Sequence, residues 1–382
     1  MAWTVIREAL MALALAPFAY YVVAIVAGER FFRPRGSAPK DHTPPVSILK
    51  PIRGLDRDAY ENFASFCRQD YPEFEILFCV TGRDDDAVPV IERLIRDFPE
   101  RSIRLLTGAP SIGASDKVNK LCRMAGEARH DIVVVTDSDV RVEPGYLRAV
   151  VSPFVDPRVG AVTCLYRGLT DGSLASDIEA LGNSADFAPG VLTAWLFGGV
   201  NFLLGAAMAT TKKHLAEIGG FESLADYFCD DYELGNRIAA RGYRLELSAF
   251  PVSLVYPKQT ILDAFRHQVR WNLSIRYSRP WGHAGMIFSH GLAWTLLAVF
   301  LAPSALMASA YLAAYVLLRG DMALTVGARG MKDPLVRQKI WMLPLRDAFA
   351  FIVWLASFCS QRIRWRDAQF YVRDKKLVPV ER

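Results

Sequence analysis

The chain has no Cys-x-x-Cys pair. Its six cysteines are scattered at positions 67, 79, 122, 164, 229 and 359. That spacing excludes a zinc ribbon and offers no disulfide framework. Four of the six lie in strongly apolar stretches and read as reduced core thiols, which fits a domain in the cytoplasm. There is no internal repeat and no low-complexity tract, so a solenoid is excluded. No basic–aromatic module of the nucleic-acid-binding kind is visible. The net charge of +5 comes with arginines crowded beside greasy segments. The expected partner is therefore an anionic bilayer surface and no nucleic acid.

What is present is a mixture. Apolar residues make up 52% of the 382 positions and mean hydropathy is +0.16, too greasy for an ordinary soluble enzyme. Charged residues make up 22%, too many for a bundle lying wholly in a membrane. The expectation is a globular domain with spanning segments at its ends. Leu10 to Ala27 carries no charge over 18 residues, just long enough to span, with a kink at Pro17. Arg7-Glu8 is a poor positive start for a signal peptide and Ala27-Gly28-Glu29 a weak cleavage site, so a retained anchor is favoured. Arg30, Arg33, Arg35 and Lys40 follow it, and the positive-inside rule then puts the next domain in the cytoplasm. From Met286 to Leu318 only His290 interrupts the apolar run, and Pro303 sits at its middle, which suggests a hairpin of two short spans. Ala348–Phe358 is apolar but short, between Arg346 and Arg362, Arg364 and Arg366. It reads as a re-entrant or interfacial helix, with a tilted third crossing as the alternative. The domains expected are 1–45 (anchor and linker), 46–280 (cytoplasmic), and 281–382 (membrane hairpin, third helix and basic tail). The whole would be a multi-pass protein of the cell membrane.

Between Val46 and Thr136 short apolar runs alternate with helical patterns. Strands are expected at Val46–Leu49, Glu75–Val80, Ile103–Thr107 and Asp131–Thr136, with helices at Asp58–Gln69, Val88–Phe98 and Lys117–Ala128. Short apolar strands suit a mainly parallel sheet covered on both faces, an α/β fold. Ligands of such folds bind beyond the carboxyl ends of the strands. Further on, Ala161–Tyr166 reads as a strand, and Leu174–Phe187, Tyr232–Arg241 and Leu262–Arg276 as helices.

Three acidic clusters stand out: Asp84-Asp85-Asp86, Asp137-Ser138-Asp139 and Asp230-Asp231. The first two fall on expected strand ends. Carboxylates held close together there are costly unless a cation joins them. A diphosphate bridged to a divalent metal is a natural solution, and a nucleotide-sugar would bring one. Asp137 and Asp139, two apart, face one way if the strand continues, and make a hard-oxygen site for Mg²⁺ or Mn²⁺; an Asx turn is the bland alternative. Asp84–Asp86 suit a loop touching a nucleoside, or an N-cap for the helix near Val88. Asp230 and Asp231 are an N-cap pair, or one of them is a general base for a sugar acceptor's hydroxyl. Lys117 and Asn119 open a helix whose N-terminus attracts phosphate, or are solvated there. His267-Gln268-Val269-Arg270-Trp271 offers a phosphate fork and a sugar-stacking face, or a membrane-interface belt.

The order of these motifs resembles the inverting family A glycosyltransferases, most closely the ceramide glucosyltransferase group, glycosyltransferase family 21. The matching residues are Asp84-Asp85, Asp137-Ser138-Asp139, Asp230-Asp231-Tyr232 and Arg270-Trp271, joined by Gln69-Asp70-Tyr71-Pro72, Lys117-Val118-Asn119, Gly219-Gly220-Phe221 and Arg241-Gly242-Tyr243. The resemblance implies a GT-A fold and transfer of a hexose from a UDP-sugar to a membrane lipid with inversion. It implies nucleotide contacts from Asp85 or Asp84, diphosphate and metal contacts from Asp137 and Asp139, a base at Asp231, and closure by Arg270 and Trp271. His267 stands where Gln or Arg is expected. The segment Ala161–Gly168 also resembles bacterial enzymes that add N-acetylglucosamine to hopanoid lipids. Ceramide glucosylation from UDP-glucose is the first reading and the hopanoid reaction the second. The rivals are a polysaccharide synthase, which would need more spanning helices, and a non-catalytic nucleotide- or lipid-binding membrane protein.

Overall fold

The computed structural model describes residues 1–34, 42–359, 362–365 and 368–379. The chain forms two compact units. One comprises Met1–Arg33, Thr170–Gly198 and Lys258–Ser360, the other Pro34–Leu169, Gly199–Pro257 and Gln361–Arg382.

The second unit holds an eight-stranded sheet. Its strands are β1 (Val46–Pro51), β2 (Phe74–Val80), β3 (Ser102–Thr107), β4 (Ile132–Thr136), β5 (Val140–Arg141), β6 (Val159–Leu169), β7 (Ala207–Thr211) and β8 (Arg244–Val255), in the order β3-β2-β1-β4-β7-β6-β8-β5. β1 runs parallel to β2 and β4, pairing Ile48 with Ile76 on one side and Val134 on the other. All three are buried end to end. Covered faces leave no position for alternating polar residues, which is why these strands are legible as apolar runs. β3 is the half-exposed edge and tolerates Arg104. β7 enters antiparallel between β4 and β6, so the sheet is mixed beyond β4. The α/β, mainly parallel fold expected from the sequence is the one found. β7, β8 and a small antiparallel sheet of β9 (Arg362–Trp365), β10 (Ala368–Arg373) and β11 (Lys376–Pro379) had no clear signal, because their sequences are of mixed polarity and lack the long apolar run.

In the first unit, helices Ala2–Leu13 and Ala16–Phe31 form one 30-residue apolar element. The break falls just before Pro17, which sits in the first turn of the second helix, where its missing N–H costs nothing. Phe18, Tyr21 and Ala24 pack against Tyr315 and Met322. Pro303 separates helices Gly291–Leu301 and Ala305–Met322. Among the described residues, two helices are long and apolar enough to cross a membrane, Ala2–Phe31 and Pro334–Cys359, or three if the bent pair Pro280–Ser289 and Gly291–Leu301 is one span. The short apolar stretch Ala348–Phe358 is thus the distal part of a 26-residue element. It continues through Arg346 and Asp347 because both charges are paired. Asp347 accepts from Arg319 Nη2 at 2.7 Å and Nε at 3.0 Å, and from the Tyr315 hydroxyl at 2.8 Å. Asp186 accepts from Arg346 Nε at 2.7 Å and Arg319 Nη2 at 2.5 Å. Gly182 makes room, since a Cβ there would lie 2.3 Å from the Arg346 guanidinium. Compensated pairs are what a low-dielectric interior permits.

Candidate active site at the carboxyl ends of the central strands

The parallel strands β1, β2 and β4 deliver their carboxyl ends to one edge of the sheet, and each is followed by a loop that carries aspartates. Asp85 follows β2. Its carboxylate accepts from the Gly54 N–H at 2.9 Å and the Ala87 N–H at 3.0 Å, tying the loop after β1 to the loop after β2. Asp84 and Asp86 are exposed. Asp56, in the loop after β1, accepts a short hydrogen bond from the Ser138 hydroxyl. The β4 end is held by Val140 and Arg141, which pair with Leu254 and Ser253 of β8, and by the Val255 N–H, which donates to the Asp139 carbonyl at 2.9 Å.

Lys117 is the junction. Its helix, Asp116–Glu127, starts at Ser115, whose hydroxyl caps the Val118 N–H. Lys117 Nζ lies 2.8 Å from Asp137 Oδ1 and 3.8 Å from Asp230 Oδ2. Residues 20 and 113 positions apart thus meet at one ammonium. Burial alone would push the Lys117 pKa down, but Asp137 and Asp230 outweigh it and hold the ammonium firmly charged. Asn119 does not reach this point. It staples its own loop, accepting from the Ile112 and Gly113 N–H groups and donating to the Gly113 carbonyl.

The Asp230–Ala240 helix is not capped by its aspartates. Cys229 is the N-cap residue, without a side-chain cap, and Asp230 and Asp231 occupy the first turn, where the helix dipole favours them. Asp231 accepts from the Tyr232 N–H at 2.8 Å. A Cβ on Gly205 would stand 3.0 Å from its other oxygen, so glycine there lets the backbone approach the carboxylate. Burial, then the like charge of Asp230, pushes the Asp231 pKa up to about 6. Burial, then Asp137 and Asp56, pushes Asp139 up to about 7. The Tyr166 phenol of β6 is raised by burial and by Asp231, Asp137 and Asp139. Its place among them was invisible in a strand read only as apolar.

Lys50 was also missed. It sits at the end of β1, fully buried, donating to Thr136 Oγ1 and the Asp137 carbonyl, both at 2.9 Å, with its ammonium 3.9 Å from the Phe66 ring centroid. Burial lowers its pKa to about 7 despite Asp137 and Asp139. A lysine closing the run Val46-Ser47-Ile48-Leu49 was the available signal.

Among the described residues no three His, Cys, Asp or Glu side chains converge as a protein-only metal site. The edge offers Asp139 with Asp137 beside it. Asp139 is a half-buried carboxylate whose charge is opposed by Asp137 and Asp56 more strongly than Lys50 relieves it, so a cation would be welcome there. One or two carboxylates fit Mg²⁺ or Mn²⁺ completed by phosphate oxygens and water.

Arg270 and Trp271 lie on the helix Ile261–Ser278 of the other unit, whereas Asp84, Asp85, Lys117, Asp137, Asp139 and Asp231 all belong to the sheet unit. Within that helix His267 and Gln268 share one partner. The buried Glu179 accepts from Gln268 Nε2 at 3.0 Å and meets His267 Nδ1 at 2.5 Å. The His267 ring stands edge-on to Trp271 with centroids 5.0 Å apart. Glu179 had no motif to mark it.

A parallel β3-β2-β1-β4 half with acidic loops at its carboxyl edge defines a nucleotide-diphosphosugar transferase fold of the GT-A type. The mannosyltransferase PcManGT from Pyrobaculum calidifontis, solved in complex with GDP-Man and Mn²⁺, superposes with a TM-score of 0.56 at 21% identity, over 92% of this chain and 99% of that one. The profile of glycosyl transferase family 21 matches residues 9–378, and the chain belongs to that family. Ceramide glucosyltransferase 1 of Caenorhabditis elegans is 28% identical over 234 residues, 61% of this chain and 50% of that protein. The ceramide glucosyltransferase of Komagataella phaffii is 35% identical over 171 residues, 42% and 31% of the two. The chain spans about half or less of the length of these curated relatives.

Proposed function

We propose that this protein is a membrane-bound, inverting hexosyltransferase that moves glucose from UDP-glucose to the hydroxyl of ceramide, with the sheet unit in the cytoplasm. The observation that carries the reading is the meeting of Asp137 and Asp230 at Lys117, with Asp139 and Asp231 of raised pKa on either side. Family membership and the ceramide glucosyltransferases among its relatives support the substrate class. The positively charged segments flanking the apolar ends support the orientation.

In this reading Asp231 accepts the proton of the acceptor hydroxyl as that oxygen bonds to the anomeric carbon. A carboxylate with a pKa near 6 is ionised at neutral pH yet basic enough to share the proton in the transition state. Its bond from the Tyr232 N–H fixes one oxygen and leaves the other for the acceptor. Asp85, with Asp84 beside it, orients the nucleotide through the loop it ties to Gly54. Lys117 holds Asp137 in place and offers its charge to the diphosphate. Asp139, with Asp137, would hold Mn²⁺ or Mg²⁺, which neutralises the leaving diphosphate when bound. Arg270 and Trp271 are assigned to the diphosphate and acceptor by their motif alone.

The test is transfer of label from UDP-glucose and UDP-N-acetylglucosamine in purified membranes, with mass spectrometry of the lipids. Glucosylceramide is expected. A glycosylated hopanoid would replace the acceptor and donor, a polymer would make the protein a synthase, and no product with intact UDP binding would leave a binding protein.

A further inference from the structure

Residues 368–379, part of the basic tail in the sequence, belong to the sheet unit. β10 and β11 are joined by Asp374-Lys375, with φ of 50° and 63°. This is the left-handed pair of a two-residue hairpin turn, a conformation unfavourable to residues other than glycine and, less so, Asn and Asp. The tip lies against the segment that leads into the Asp230–Ala240 helix. The Phe228 N–H donates to the Lys375 carbonyl at 3.0 Å, the Leu377 N–H to the Asp226 carbonyl at 2.8 Å, and Tyr227 pairs with Lys376 in a single antiparallel bridge. Lys375 Nζ reaches Glu233 Oε1 at 3.3 Å and lies 5.5 Å from the Tyr232 ring centroid. The hairpin therefore grips residues 226–228 by backbone and 232–233 by one side chain, bracketing Asp230 and Asp231.

The same segment braces the Lys117 helix. The Ser115 N–H donates to the Ala225 carbonyl at 2.8 Å and the Ala114 N–H to Asp226 Oδ1 at 3.0 Å. Both helix N-termini that meet at the Lys117–Asp230 contact are thus moored to residues 225–228, and the hairpin secures that mooring from outside. The ion pair at its tip is half exposed on the lysine side, where such pairs add little to stability.

We propose that the 368–379 hairpin, through Lys375, is a positioning element for the general base, fixing the aim of Asp231 toward the acceptor hydroxyl. The proposal rests on the reading of Asp231 as base, and the experiment separates the two. Lys375→Gly keeps the turn, since glycine adopts φ of 63° freely, and removes only the contacts to Glu233 and Tyr232. The full-length variant should melt at or above the wild-type temperature and keep the KM for UDP-sugar, while kcat falls about tenfold, the scale of a small misalignment at a reacting centre. Lys375→Arg should recover most of kcat. A wild-type kcat in Lys375→Gly overturns the proposal, as does a joint fall of kcat, melting temperature and donor affinity. Asp231→Asn runs alongside. Retained turnover there removes the base itself, whereas an inactive Asp231→Asn beside a full-rate Lys375→Gly removes only the hairpin's role.

Discussion

Asp231→Asn keeps the size of the side chain and its bond from the Tyr232 N–H, but it cannot take a proton. A positioned general base contributes about 10²–10⁴ in rate, or about 3–5 kcal/mol of barrier, so kcat should fall by that factor while metal-dependent UDP binding persists. The wild-type pH profile gives a second handle. Burial and Asp230 set the Asp231 pKa near 6. The base works deprotonated, so activity is full above that pH and is lost as pH falls through it. One unit below, about a tenth of the base remains ionised, and kcat/KM should drop in proportion. Neighbouring charges predict the direction of movement. Asp230→Asn removes a like charge and should shift the acid limb to lower pH. Lys117→Met removes the opposing positive charge and should shift it upward. The assay is label transfer from UDP-glucose to lipid between pH 4.5 and 8. An acid limb that stays put in both variants, or an Asp231→Asn enzyme within a few-fold of wild type, would refute the assignment.

Asp139→Ala should weaken metal-dependent UDP binding at least about tenfold, and unchanged calorimetric affinity would reject its metal role; chelation should abolish transfer and added Mn²⁺ restore it. Lys50→Met leaves the Asp137 carbonyl and Thr136 hydroxyl without their buried donor, at about 1–3 kcal/mol; a lower melting temperature and a raised donor KM are expected, and neither changing would show the β4 end to be held without it. Arg319→Met leaves Asp347 with the Tyr315 hydroxyl and no cation, and Asp186 with Arg346 alone; it should destabilise the helical unit by about 3–5 kcal/mol, measured by unfolding in detergent, with Asp347→Asn restoring part of the loss.

Much of the architecture is legible in the sequence alone. The runs Ile48-Leu49, Leu77-Phe78-Cys79-Val80 and Val133-Val134-Val135 are apolar because both faces of their sheet are covered, and that fact is written in composition alone. Acidic clusters at their carboxyl ends followed from chain direction. The Asp231 helix, the Pro17 break and the apolar lengths near both ends were likewise local properties of the chain.

Local pattern could not say whether an aspartate caps a helix or waits for a proton, since both use the same residues before the same helix. What folding adds is partners far away in sequence: Lys117 between Asp137 and Asp230, Gly54 on Asp85, Gly205 beside Asp231. It also could not extend the last apolar helix through Arg346 and Asp347, whose counter-charges Asp186 and Arg319 come from other segments. Nor could it foresee that His267 and Gln268 both serve a buried Glu179, or that residues 375–377 pair with the 226–228 segment ahead of the Asp231 helix. Burial and chain direction are properties of a segment and survive in its letters, whereas charge compensation is a property of pairs and exists only once the chain has folded.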